Sequence, residues 1–175
     1  MFPSTAITRV VSATNGTTTL TMSASDAAAI LVGMTVTGTG ITSGGVVTGV
    51  NITTGVVTIT GTITTLTTSN YVFTLTVLAS LHTTTPGTTG AAEVSGGSYG
   101  RQSFTTGVAS AGSKASTNAQ NWTSMPSCTV GYFGFWTAVT SGTWLGGGAL
   151  SSSLTVPSGA TVAAAIGAIT LADNG

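Results

Sequence analysis

Only six side chains in this 175-residue chain carry a formal charge: Arg9, Asp26, Glu93, Arg101, Lys114 and Asp173, which sum to zero. Asp, Glu, Lys and Arg make up roughly a quarter of an ordinary soluble domain; here they make up 3%. A surface that cannot use charge must be wetted by hydroxyls and backbone groups, and the chain has 39 threonines and 25 glycines. Threonine is β-branched and favours strands, while its hydroxyl hydrates the outer face. Glycine supplies the turns between strands. A β-rich fold follows. With 41% apolar residues, charge-driven disorder is excluded.

The same scarcity narrows function. A neutral chain cannot neutralise a row of phosphates, which argues against a nucleic-acid partner. General acid–base catalysis needs clustered carboxylates, histidines or lysines, and His82 is the single histidine. Its possible Asp partners, Asp26 and Asp173, both fall at expected surface ends. Glu93 has no acidic neighbour with which to form a glycosidase pair. Cys128 stands alone, so no internal disulfide or cysteine-based metal site forms. No catalytic, cofactor-binding or metal-binding residue is expected, and no cofactor. The longest apolar runs, 27–36 and 160–172, fall short of the roughly 20 residues of a membrane span, so no membrane partner is expected. Met1-Phe2-Pro3 lacks the basic start of a leader, which predicts synthesis and assembly in a cytoplasm.

Along the chain, residues 1–70 read as a Thr/Gly-rich β module. Residues 7–12 read as a strand followed by Asn15-Gly16, the dipeptide favoured in a two-residue hairpin turn, and 17–22 then alternate Thr with Leu and Met. Ser25-Asp26 before three alanines predicts a helix N-cap, with Gly33 as its stop. Strands are expected over 34–37, 46–51, 56–59 and 63–66. Residues 71–175 read as the main domain. It begins with one longer apolar strand over 71–83 and continues with strands over 104–109, 129–139, 143–150, 154–156, 162–165 and 169–172. Pro86-Gly87, Ser141-Gly142 and Pro157-Ser158-Gly159 punctuate them. Short strands, Gly/Pro turns and almost no helix predict an all-β, jelly-roll-like β-sandwich with a smaller β module ahead of it. The aromatics Phe133, Phe135, Trp136 and Trp144 are its expected core. The alternative for the two tryptophans is an exposed interface.

One segment concentrates charge. In Glu93-Val94-Ser95-Gly96-Gly97-Ser98-Tyr99-Gly100-Arg101-Gln102, the Gly pair could turn the chain back so that Arg101 meets Glu93 in a bidentate ion pair. Two independent surface charges are the alternative.

This segment also resembles a family of tailed-phage virion proteins, variously described as tail-fibre or head-decoration proteins. The residues that carry the likeness are Leu81-His82-Thr83, Pro86-Gly87-Thr88-Thr89-Gly90, and Glu93 through Tyr99 to Arg101-Gln102. Downstream, Gly134-Phe135-Trp136-Thr137-Ala138, Ser141 to Leu150, Val156-Pro157-Ser158-Gly159 and Ile169-Thr170-Leu171 continue it. The resemblance covers residues 71–175 and implies a virion component. The leading expectation is a capsid decoration protein, a homotrimer bound to the major capsid protein and stabilising capsomer contacts. A tail fibre or tail tip that binds a host surface polymer is the alternative.

Overall fold

The computed structural model describes residues 6–41, 45–107 and 113–172. Its architecture is all-β, as expected, and the chain divides into two compact units at Thr76/Val77. The expected boundary at 70/71 lies inside a strand. Instead of one apolar strand over 71–83, β6 (Thr67–Thr74) completes the first unit, and β7 (Val77–His82) belongs to the second. Leu75-Thr76 joins them.

The N-terminal unit is a closed antiparallel barrel. Around the ring stand β1 (Ala6–Ala13), β2 (Thr19–Thr21), β5 (Val56–Ile59), β4 (Gly45–Asn51), β3 (Thr35–Thr37) and β6. Closure comes from β1 lying along β6, with Ala6 opposite Thr74 and Ala13 opposite Thr67. Closure removes the free edges that short neutral strands would otherwise expose. The period-2 pattern explains the interior: Val11, Leu20, Met34, Val36, Val57 and Phe73 are all buried, while threonines alternate outward. Tyr71 is also buried, and its hydroxyl donates to the Thr39 carbonyl at 2.7 Å. Asn15-Gly16 lies in the turn that joins β1 to β2, but only Gly16 takes a positive φ (+78°), and the closing pair Ala13–Leu20 makes the connection longer than the expected two residues.

Two local expectations differ. The helix α1 spans only Ala24–Ala27, and its cap is Ser23, whose Oγ accepts the Asp26 N–H at 3.1 Å. Ser23 also donates to the Asp26 carboxylate at 2.7 Å, so the cap selects the serine that can bond reciprocally. The helix ends at Ala28, well before Gly33, because a single turn is too short to propagate without further packing. The expected strand over 63–66 reduces to one bridge between Ile63 and Ile41.

In the C-terminal unit, β12 (Trp144–Val156), β11 (Cys128–Trp136), β7 and β8 (Gln102–Phe104) form a four-stranded antiparallel sheet in that order. Two ribbons accompany it, β10 (Gln120–Trp122) with β13 (Val162–Ala164), and β9 (Ser113–Ala115) with β14 (Thr170–Ala172). The described strands thus pair as one sheet and two ribbons, where a full jelly roll pairs two four-stranded sheets. The expected strand over 104–109 is the shorter β8; residues 108 and 109 lie outside the described residues. The β11–β12 hairpin reverses through Ser141 (φ +56°) and Gly142 (φ +80°), and its neck is closed by the Thr143 N–H, which donates to Thr137 Oγ1 at 2.8 Å.

The core of this unit is not the expected aromatic quartet. Phe135 is buried and packs on Phe104 at 4.6 Å between ring centroids. Trp122, Met125 and Val130 are buried as well. Phe133, Trp136 and Trp144 are only partly buried. Trp122 takes the anchoring role because β10 points it inward together with Gln120, two residues away on the same face.

Candidate functional site

The charged segment folds into a knot beside the end of β7. Glu93 bridges His82, and the Val94 N–H donates to the Leu81 carbonyl at 2.9 Å, so residues 93–94 extend the sheet beyond β8. Gly96 (φ +99°) and Gly97 (φ +59°) then reverse the chain. At Gly97 a Cβ would overlap the Ser124 carbonyl, so only glycine fits there. The reversal brings Tyr99 and Arg101 back onto Glu93.

Arg101 grips Glu93 side-on: Nε donates to Oε1 at 3.0 Å and Nη2 to Oε2 at 2.8 Å. Nη1 donates to the carbonyls of Ala138 and Ser141, each at 2.7 Å. The guanidinium lies 3.8 Å from the centre of the Trp136 ring, a cation–π stack. Only 9% of the Arg101 side chain and 19% of the Glu93 side chain remain exposed. Tyr99 donates from its hydroxyl to Glu93 at 3.2 Å and accepts the Leu81 N–H at 2.9 Å. Burial pushes the Tyr99 phenol well above its ordinary pKa, which keeps it a donor. Three non-glycine residues with positive φ, Ala92, Ser124 and Ser141, each present a carbonyl to this region: to Thr83 N, Ser98 N and Arg101 Nη1. The knot therefore holds strained turns in place.

Next to it, His82 and Ser80 are both completely buried. The His82 Nδ1 bonds the Ala91 carbonyl at 2.8 Å, which makes Nδ1 the protonated nitrogen. Nε2 is then the acceptor for the Ser80 hydroxyl at 2.9 Å. The pair has the spacing of a nucleophile and its base. Its third member is a carbonyl, its neighbouring carboxylate is held by Arg101, and no solvent reaches it. Burial lowers the His82 pKa. The arrangement holds backbone together. The Trp144 ring stands edge-on to His82 at 5.4 Å and to Trp136 at 5.1 Å. Gly134 forms the floor: a Cβ there would overlap Trp144 and come within 2.8 Å of His82 Nε2.

Of the other residues singled out from the sequence, Pro86 is buried and accepts the Ala91 N–H at 3.0 Å, and Gly87 takes φ +57°. These set the loop in which Gly90 lies against both tryptophans. Gln102 opens β8 and donates to the Gly100 carbonyl at 2.9 Å. Ser95 is exposed. The structure thus brings together Glu93, Tyr99, Arg101 and Trp136, with Trp144 behind them. Ser80 and the carbonyls of Ala138 and Ser141 were missed: a strand serine and backbone oxygens 37 and 40 residues from Arg101 leave no sequence signal. Among the described residues no group of three or more His, Cys, Asp or Glu side chains could hold a metal ion, and no helix is long and apolar enough to cross a membrane.

No curated protein matches the chain. A family model described as "Podophage GP4 fiber I protein gp80" matches residues 63–172, more than half of the chain. The match spans β6, the whole Glu93–Arg101 knot and the sheet of the C-terminal unit.

Proposed function

The chain belongs to this podophage fibre family, a phage structural protein, and from that premise we propose that it works in the virion by binding alone, as a fibre component packed against copies of itself. The observation that carries the reading is where the charge goes. Glu93 and Arg101 neutralise each other inside the C-terminal unit, and Arg9 meets Asp26 at 2.9 Å in the barrel. Four of the six charges are thereby paired with one another. The surface left is rich in hydroxyls and backbone groups. Such a surface has little self-repulsion, and it associates without desolvating ions. Binding is the whole of the activity: the Ser80–His82 pair and the Arg101 knot stabilise loops and turn over no substrate.

A second reading, a trimeric head-decoration protein on the major capsid protein, draws on the same neutral surface, which can lie close against a shell. Copy number separates the two. Quantitative mass spectrometry of purified particles, referenced to the major capsid protein, gives a handful of copies for a fibre and hundreds for decoration. Absence from purified particles refutes both.

A further inference from the structure

His82 is the one histidine of the chain, and no other side-chain type present has an unperturbed pKa between pH 5 and 7.5. It is completely buried, and it fastens a loop. We propose that His82 is an acid-sensitive latch: its protonation releases the 83–92 loop and uncovers the Trp136–Trp144 pair.

The geometry fixes what the added proton must do. Nδ1 already carries hydrogen, donated to Ala91, so the proton must go to Nε2. There it ends the acceptor role toward the Ser80 hydroxyl and places N–H against Oγ. It also places a positive charge in a site closed by Gly134 and the Trp144 edge. The charged and titratable groups facing the ring offer no free counter-ion. Glu93 is nearest in the sheet, but both its oxygens accept from Arg101, and one also accepts from Tyr99. Arg101 repels the new charge, Tyr99 stays neutral, and Tyr132 is the residue opposite His82 on β11. Relief comes from water, and the loop is the part that can admit it. Thr83, Thr84, Thr85, Thr88 and Thr89 are already exposed. Beyond the His82 tether, the loop is held by Thr83 N–H to Ala92 and Ala91 N–H to Pro86, and by Gly90 against the tryptophans. Gly90 sits at φ +73° where a Cβ would overlap Trp136, so the loop lies directly on the indoles.

The sign of the effect follows from burial. The ring binds a proton less readily when closed in than when opened, where it regains its ordinary value of 6.5. Opening is therefore favoured as pH falls below 6.5, by about tenfold per pH unit until the closed form titrates too.

Amide hydrogen exchange on the full chain between pH 7.5 and 5, corrected for intrinsic exchange, tests this. The opening constants at Thr83 and Ala91 should rise about tenfold per unit below pH 6.5, while Val94 stays constant. In His82→Gln they should not vary with pH. Constants that stay flat in the native chain, or an equal acid response in His82→Gln, overturn the proposal. If that variant does not fold, ring titration of His82 by NMR in the native chain replaces it: loop opening must follow the ring's protonation, and a mismatch overturns the latch.

Discussion

Replacing Arg101 with alanine tests the knot most severely. The change leaves the Glu93 carboxylate, 19% exposed, with only the Tyr99 hydroxyl as partner. It also orphans the carbonyls of Ala138 and Ser141 and empties the face of Trp136. Removing one member of a buried ion pair costs about 3–5 kcal/mol, and the residual exposure of Glu93 favours the lower end. A loss of about 3 kcal/mol is expected. Trp122, Trp136 and Trp144 all lie in the C-terminal unit, so tryptophan fluorescence in urea reports that unit alone. With a slope of about 1–1.5 kcal/mol per molar for a unit of this size, the midpoint should fall by about 2–3 M. Arg101→Lys keeps the charge but loses the side-on grip and the flat stack, and should recover less than half of the loss. A double-mutant cycle with Glu93→Gln should return a coupling above about 1 kcal/mol. An Arg101→Ala midpoint within about 0.5 kcal/mol of the parent, or a lysine variant equal to arginine, would refute the reasoning.

Other perturbations follow from the same geometry. Gly134→Ala forces a methyl into Trp144 and His82 and should cost about 1–3 kcal/mol in the fluorescence assay; a neutral result means that Trp144 does not lie on Gly134. Ser23→Ala removes the α1 cap at about 1 kcal/mol, seen as faster exchange at the Asp26 amide while Val57 is unaffected. Retention on particles should be the same after washes at 50 mM and 1 M salt, because screening has few charges to act on; release by modest salt contradicts the neutral-surface argument.

The sequence made local chemistry legible and long-range pairing much less so. Asn15-Gly16 and Ser141-Gly142 were readable as reversals because Gly, Asn and Ser favour turns, although both connections are longer than two residues. Threonine alternation marked the barrel strands because side chains of a strand alternate between core and solvent. Barrel closure was not readable: β1 meets β6 across some sixty residues, and nothing in either strand names its partner. The division at Leu75-Thr76 was hidden for a related reason, since Tyr71 to Leu78 contains only strand-favouring residues with no Gly, Pro or Asn break, and only tertiary pairing splits it. At the knot, Glu93 and Arg101 were visible as opposite charges around Gly96-Gly97. What Arg101 does besides was invisible, because its other acceptors are carbonyls. Trp136 was expected in the core, and it is half-buried with its face against Arg101.

The claim that the chain is a virion fibre component is tested most directly by electron cryomicroscopy of intact particles. The account predicts density for the six-stranded barrel and the four-stranded sheet within a projecting fibre, with neighbouring copies in contact through uncharged surfaces. Particles in which this chain instead tiles the head would contradict the fibre assignment, and particles without it would contradict the virion role altogether.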